Sequence, residues 1–92
     1  SAETALAGGL LNRVVPADAV LNTALELAYA VAANPPLAVR AARHVLRKSR
    51  DLSEDQSLAL EAKLLEDLAQ TEDAIEGPRA FLEKRPPVFK GR

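Results

Sequence analysis

Ninety-two residues carrying a net charge of −1 allow one small domain and give no overall attraction to nucleic acid or to an anionic membrane. The absence of cysteine excludes disulfides and thiolate metal ligands. Nearly half of the residues are apolar (48%), yet only Tyr29, Phe81 and Phe89 are aromatic, so a core must be built from Ala, Leu and Val in closely packed helices. No apolar run approaches the ~20 residues of a membrane helix, and the start lacks a charged segment followed by an apolar one. A soluble, mainly α chain is expected; the missing cysteines leave the redox compartment open, and a cytoplasmic location is the working expectation.

Ser1 suits the N-cap of a brief helix, Ala2–Ala7, with Glu3 in its first turn and Gly8-Gly9 supplying the positive φ that ends it. Leu10 to Val15 is aliphatic and β-branched, which predicts a short strand or extended segment; a lone strand leaves its backbone groups unpaired unless a partner is supplied. Pro16 and Asp18 open a long helix that ends before Asn34-Pro35-Pro36. Its apolar stripe is Val20, Leu21, Ala24, Leu25, Ala28, Val31 and Ala32, with Asn22, Thr23 and Glu26 facing away. The next helix starts at or just after Pro36; Ala38, Ala41, Ala42, Val45 and Leu46 line one side, and Arg40, Arg43, Arg47, Lys48 and Arg50 crowd the other. Ser53 with Gln56 three later fits a capping box. The helix it opens carries Leu58, Leu60, Leu64, Leu65 and Leu68 on more than one side, so burial against a partner chain is expected. The reading is one segment, with residues 1–15 a short helix plus strand and 16–92 a helical oligomerisation region.

The end of the chain, Thr71 to Arg92, is the most informative stretch. Thr71 can cap a helix with Glu72 and Asp73 in its first turn, where the helix dipole favours negative charge. Pro78 has no N–H for the Ala74 carbonyl, which predicts a kink or a restart of the helix. Phe81, Lys84 and Arg85, three and four apart, would share one helical face before Pro86-Pro87 stops the helix, and Val88-Phe89 makes an apolar hook. An aromatic ring beside cations suits a nucleotide, the base stacking on the ring and a phosphate pairing with a cation. The plainer alternative makes Phe81 a core anchor and Lys84 a solvated cation.

Other clusters carry less. The cations of Arg40–Arg50 have no interleaved aromatic, and the acids that follow, from Asp51 to Asp67, can neutralise them, so a solvated or internally paired face is expected and no nucleic-acid partner. His44 is the only histidine and has no acidic neighbour in sequence to orient it. No pair among Glu3, Glu26, Glu61 and Glu83 suggests acid/base work, and the serines lack a histidine–carboxylate context. No catalytic residue and no metal ligand is assigned.

The tail T-E-D-A-x-E-G-x-x-A-F-L-E-K-R-P-P-V-F-K-G resembles the C-terminal end of the enoyl-CoA hydratase/isomerase (crotonase) family. Three further segments resemble the family in the right order: SAETALAGGLLNRVVP, ANPPLAVRAAR and LSEDQSLALEAKLL. Pro78 departs from the family pattern, which usually has an aliphatic residue there. The resemblance covers the family's C-terminal third and implies the C-terminal helical segment of a crotonase-like fold, whose glycine-rich oxyanion-hole loops and catalytic glutamates would lie before Ser1. It implies an acyl-CoA enzyme, foremost an enoyl-CoA hydratase acting on a coenzyme A thioester as substrate, with no further cofactor. It also implies a homo-oligomer of three or six copies, and it places Phe81 by the adenine and Lys84 near the phosphates of coenzyme A, in a site shared with a neighbouring subunit. The isolated chain is then expected to be inactive. The alternative is a stand-alone helical interaction module with no catalytic role.

Overall fold

The computed structural model describes all of residues 1–92, and they form five α-helices: α1 (Ala2–Ala7), α2 (Val20–Ala32), α3 (Pro36–Lys48), α4 (Glu54–Ala69) and α5 (Glu72–Leu82). The chain divides into two compact units, Ser1–Ala30 and Val31–Arg92.

In the first unit, the Ser1 hydroxyl accepts from the Thr4 N–H at 3.2 Å and so caps α1. At the other end Gly9 adopts φ 74°. Its N–H donates to Leu6 O at 3.0 Å, and the Leu10 N–H donates to Ala5 O at 2.9 Å. This is the Schellman arrangement, which satisfies carbonyls left over at a helix end. The short strand expected at Leu10–Val15 does not form. The segment is irregular because no second extended segment offers it a hydrogen-bonding ladder. A single 3₁₀ turn, Ala17–Ala19, leads into α2. Thr23, expected to face solvent, is half-buried, whereas Leu21 is largely exposed. Val20, Thr23, Ala24 and Leu27 line a groove with residues 11–15, so the stripe on α2 is rotated from the one the apolar spacing gave.

In the second unit, Pro36 takes the first position of α3, where its missing N–H has no helical partner to lose. A 3₁₀ turn, Ser49–Asp51, ends α3. The capping box then opens α4: Ser53 Oγ accepts from the Gln56 N–H at 3.2 Å, and Gln56 Oε1 accepts from the Ser53 N–H at 3.0 Å. Helix α3 packs on α4, and α4 on α5. Ala38, Ala41 and Val45 of α3 are half-buried, as are Leu60, Leu64 and Leu68 of α4. Other apolar side chains of these two helices stay open: Leu46 is 71% exposed, Leu58 56% and Leu65 57%. Only Ala80 and Asp73 are buried in the whole chain, and both belong to α5.

Helix α5 continues through Pro78. The restart expected there is not seen, although the proline removes the bond to the Ala74 carbonyl. Thr71 fixes the start of the helix, its Oγ1 accepting from the Ala74 N–H at 3.2 Å, and residues after the helix fold back and bond to its first half.

Candidate functional site

The site is built where α5 ends and the chain reverses. The helix stops at Leu82, so Lys84 and Arg85 lie beyond it and do not continue the helical face of Phe81. Lys84 takes φ 52°, the only positive φ at a non-glycine residue. Its N–H donates to Phe81 O at 3.2 Å and the Arg85 N–H donates to Ala80 O at 3.0 Å. The pattern is the same Schellman closure as at α1, with lysine in the position that glycine usually holds.

Two carboxylates of α5 hold the returning tail. Glu76 receives Arg85 in a two-pronged contact, Nη1 to Oε1 at 2.6 Å and Nη2 to Oε2 at 2.9 Å. The Val88 N–H also donates to Glu76 Oε1, at 2.8 Å. Arg85 Nε reaches Glu83, which in turn accepts from Arg79 Nε at 2.9 Å. One turn earlier, the buried Asp73 accepts from the Lys90 N–H at 2.7 Å and the Gly91 N–H at 2.8 Å. The Asp73 N–H itself donates to Arg92 O at 3.2 Å. Gly91 has φ 72° and packs against Pro36, whose Cγ would stand 3.6 Å from an added Cβ. The ring of Phe89 lies over Gly77, where an added Cβ would be 3.8 Å from Cε1. The apolar hook expected at Val88-Phe89 is therefore half realised: Phe89 is half-buried, whereas Val88 is 65% exposed.

The electrostatics follow from these contacts. The Arg85 hydrogen bonds, then the Val88 N–H, hold the Glu76 carboxyl down to about 2 from its ordinary 4.5. The carboxyl of Glu83 is lowered as well, by Arg85 first and then Arg79. Arg85 is raised by Glu76 and Glu83.

Phe81 and Lys84 come out of this reversal free of the rest of the chain. Phe81 is 83% exposed, so it is not a core anchor of this chain. Lys84 is exposed and takes part in none of the ion pairs. Arg85, by contrast, is committed to Glu76 and Glu83. The geometry thus offers one exposed ring and one unpaired ammonium three residues apart, a surface fit for a flat base with a phosphate beside it.

Elsewhere, Arg40, Arg43, His44, Arg47 and Lys48 line a shallow groove on α3. Of the two states expected for these cations, solvated or paired with the acids that follow, the solvated one is found, since none of them joins an ion pair. Long exposed side chains gain little from pairing in water, which leaves this face solvated. No group of three or more His, Asp or Glu side chains could hold a metal ion. No helix is long and apolar enough to cross a membrane.

Sequence reasoning singled out Phe81 and Lys84 and passed over Asp73 and Glu76, which it read only as a first-turn acid and a tail letter. Their signal was present: acids three apart share a helix face. A tail stiffened by Pro86-Pro87 and freed at Gly91 can return to meet that face.

Residues 1–92 match the family model described as enoyl-CoA hydratase/isomerase. The chain belongs to the enoyl-CoA hydratase/isomerase family. It is 46% identical over 92 residues to the 2,3-dehydroadipyl-CoA hydratase of Escherichia coli K12, covering 100% of this chain and 36% of that protein. It is 42% identical over 84 residues to enoyl-CoA hydratase EchA19 of Mycobacterium tuberculosis, covering 91% of this chain and 32% of the relative. Its fold superposes on an enoyl-CoA hydratase of Bacillus anthracis with a TM-score of 0.96 at 36% identity, across 100% of this chain and 36% of that structure. The chain thus spans about a third of the length of these members of the enoyl-CoA hydratase/isomerase family. It has the fold of the helical C-terminal part of the crotonase fold.

Proposed function

We propose that this segment forms one rim of a coenzyme A pocket in a crotonase-type acyl-CoA enzyme, foremost an enoyl-CoA hydratase that adds water to a 2-enoyl-CoA. The observation that carries the reading is the pairing of an 83% exposed Phe81 with an unpaired Lys84 at a tightly fixed chain reversal. Phe81 gives a stacking surface for the adenine and Lys84 a charge for the phosphates. Neither reaches the thioester, so the segment contributes binding, and the acid/base work falls to residues outside it. Titration of the chain with coenzyme A, followed by amide shifts of Phe81 and Lys84, tests this. The expected result is a response to coenzyme A that pantetheine, which lacks the nucleotide, does not give, and that Lys84→Ala weakens by about tenfold or more. Equal responses to both ligands would contradict it.

The exposed leucines support a second role in the same assembly. Leu46, Leu58 and Leu65 leave apolar surface open on α3 and α4, and burial of one such side chain is worth about 1.5–3 kcal/mol. Self-association through these helices is therefore part of the reading. Sedimentation equilibrium should show dimers or trimers at micromolar concentration, and Leu65→Glu should shift them to monomer; a monomer in the unsubstituted chain would remove this role.

A further inference from the structure

Lys84 stands in a backbone conformation that its residue type disfavours, because a Cβ crowds the following carbonyl when φ is positive. The chain contains its own control. Gly9 closes α1 with the same two hydrogen bonds at φ 74°, and glycine escapes the crowding. A disfavoured conformation persists only where the surroundings over-determine it. At Lys84 they do. Arg85 is fastened by Nη1 and Nη2 to Glu76 and by Nε to Glu83. The Val88 N–H is fastened to the same Glu76 oxygen as Arg85 Nη1. Pro86 and Pro87 stiffen the span between these two anchors, and the bonds of Asp73 to Lys90 and Gly91 close the far end. The chain must reverse between Leu82 and Arg85 to reach Glu76, and Lys84 is the residue that turns.

We infer that the Glu76–Arg85 pair is a positioning device for the nucleotide rim: it draws the chain back onto α5 and so holds Lys84 in the left-handed conformation in which its ammonium meets the phosphates of coenzyme A. The inference rests on the rim proposed above. Glu76 and Arg85 act through Lys84, since four of the five N–H donors of the Arg85 fork are already committed, three to carboxylates and one to the Pro86 carbonyl. Were the turn needed only to end the helix, glycine would serve better, as at α1. With Lys84 already fixed, its backbone ordering does not fall on the binding step. Losing that order should weaken binding by about fivefold to thirtyfold.

The test is an NMR titration of the full chain with coenzyme A and, separately, with pantetheine, in four forms: unsubstituted, Glu76→Gln, Arg85→Lys and Lys84→Ala. The Lys84 HN–Hα coupling and Cα shift report its φ directly, which a purely stabilising role would leave unchanged at temperatures where the chain is folded. The expected result is that Glu76→Gln moves Lys84 out of the left-handed region and weakens coenzyme A by about fivefold to thirtyfold with pantetheine unaffected. Arg85→Lys keeps the charge but loses the fork, so it should give the same changes in smaller measure, and it decides the matter if Glu76→Gln does not fold. Coenzyme A binding that depends on Lys84 but is indifferent to Glu76 and Arg85 would overturn the inference and leave the rim standing. Binding indifferent to Lys84→Ala would refute the rim, and the inference with it.

Discussion

Two helix ends in this chain make the same turn with opposite residues. α1 ends on Gly9 at φ 74° and α5 on Lys84 at φ 52°, each with one bond back three residues and one back five. At Gly9 nothing lies within 4 Å of where a Cβ would be, and no distant residue holds the turn. At Lys84 the turn is imposed from outside, by carboxylates 8 to 11 positions earlier in the sequence that capture the chain beyond it. The lesson is that the first end is shaped by local conformational preference and the second by long-range bonds strong enough to override it. The positive φ of Lys84 therefore reflects the bonds that capture the chain beyond it.

The largest expected effect removes the long-range side of the comparison. Asp73→Ala deletes a buried charged acceptor for two backbone N–H groups, and hydrogen bonds to charged groups are each worth about 1.5–3 kcal/mol. A loss of about 3 kcal/mol is expected in thermal or urea unfolding, with the amides of Lys90 and Gly91 exchanging freely. By contrast, Leu65→Ala on the open face of α4 should cost the monomer less than about 1 kcal/mol, because more than half of that side chain is already in water.

Acid should loosen the α5 end by the same route. Glu76 titrates at about 2 in the folded chain against an ordinary 4.5. The unfolded form therefore binds more protons between these values, so the stability this carboxylate contributes is complete above pH 4.5 and is lost as pH falls towards 2. The Val88 amide should show this as exchange protection that declines over that window. In Glu76→Gln the decline should be reduced, since the group that drives it is gone.

The two turns themselves give the smallest effects, and of opposite sign. Gly9→Ala should destabilise by about 1 kcal/mol from backbone conformation alone. Lys84→Gly should stabilise by up to about 1 kcal/mol while abolishing any role of the side chain. Chemical unfolding of both variants checks the pair. A Lys84→Gly chain less stable than its parent would mean that the lysine itself, and not the bonds around it, holds the turn.

These contrasts also explain what was readable in advance. The starts of α1, α4 and α5 were legible because Ser1, Ser53 and Thr71 cap within three residues of themselves, and Pro36 marked the start of α3. The strand at Leu10–Val15 was misread because a strand is a property of two segments and sequence pattern describes one. The helical face that Phe81, Lys84 and Arg85 were expected to share is not formed, because α5 stops at Leu82 and Arg85 is drawn off to Glu76 nine residues earlier. The Asp73 clamp spans 17 and 18 residues, beyond the reach of any periodicity.

The central claim is that Lys84 serves the nucleotide half of coenzyme A and nothing nearer the reaction. The most direct measurement is steady-state hydration of crotonyl-CoA and of crotonyl-pantetheine by a full-length enoyl-CoA hydratase in which residues 1–92 replace the matching C-terminal segment, with and without Lys84→Ala. The account predicts that KM for the coenzyme A ester rises about tenfold to a hundredfold, that kcat holds, and that the pantetheine ester is unaffected, the pattern of lost uniform binding. An equal penalty on both esters, or none on either, would show Lys84 to be a solvated cation at the end of a structural helix.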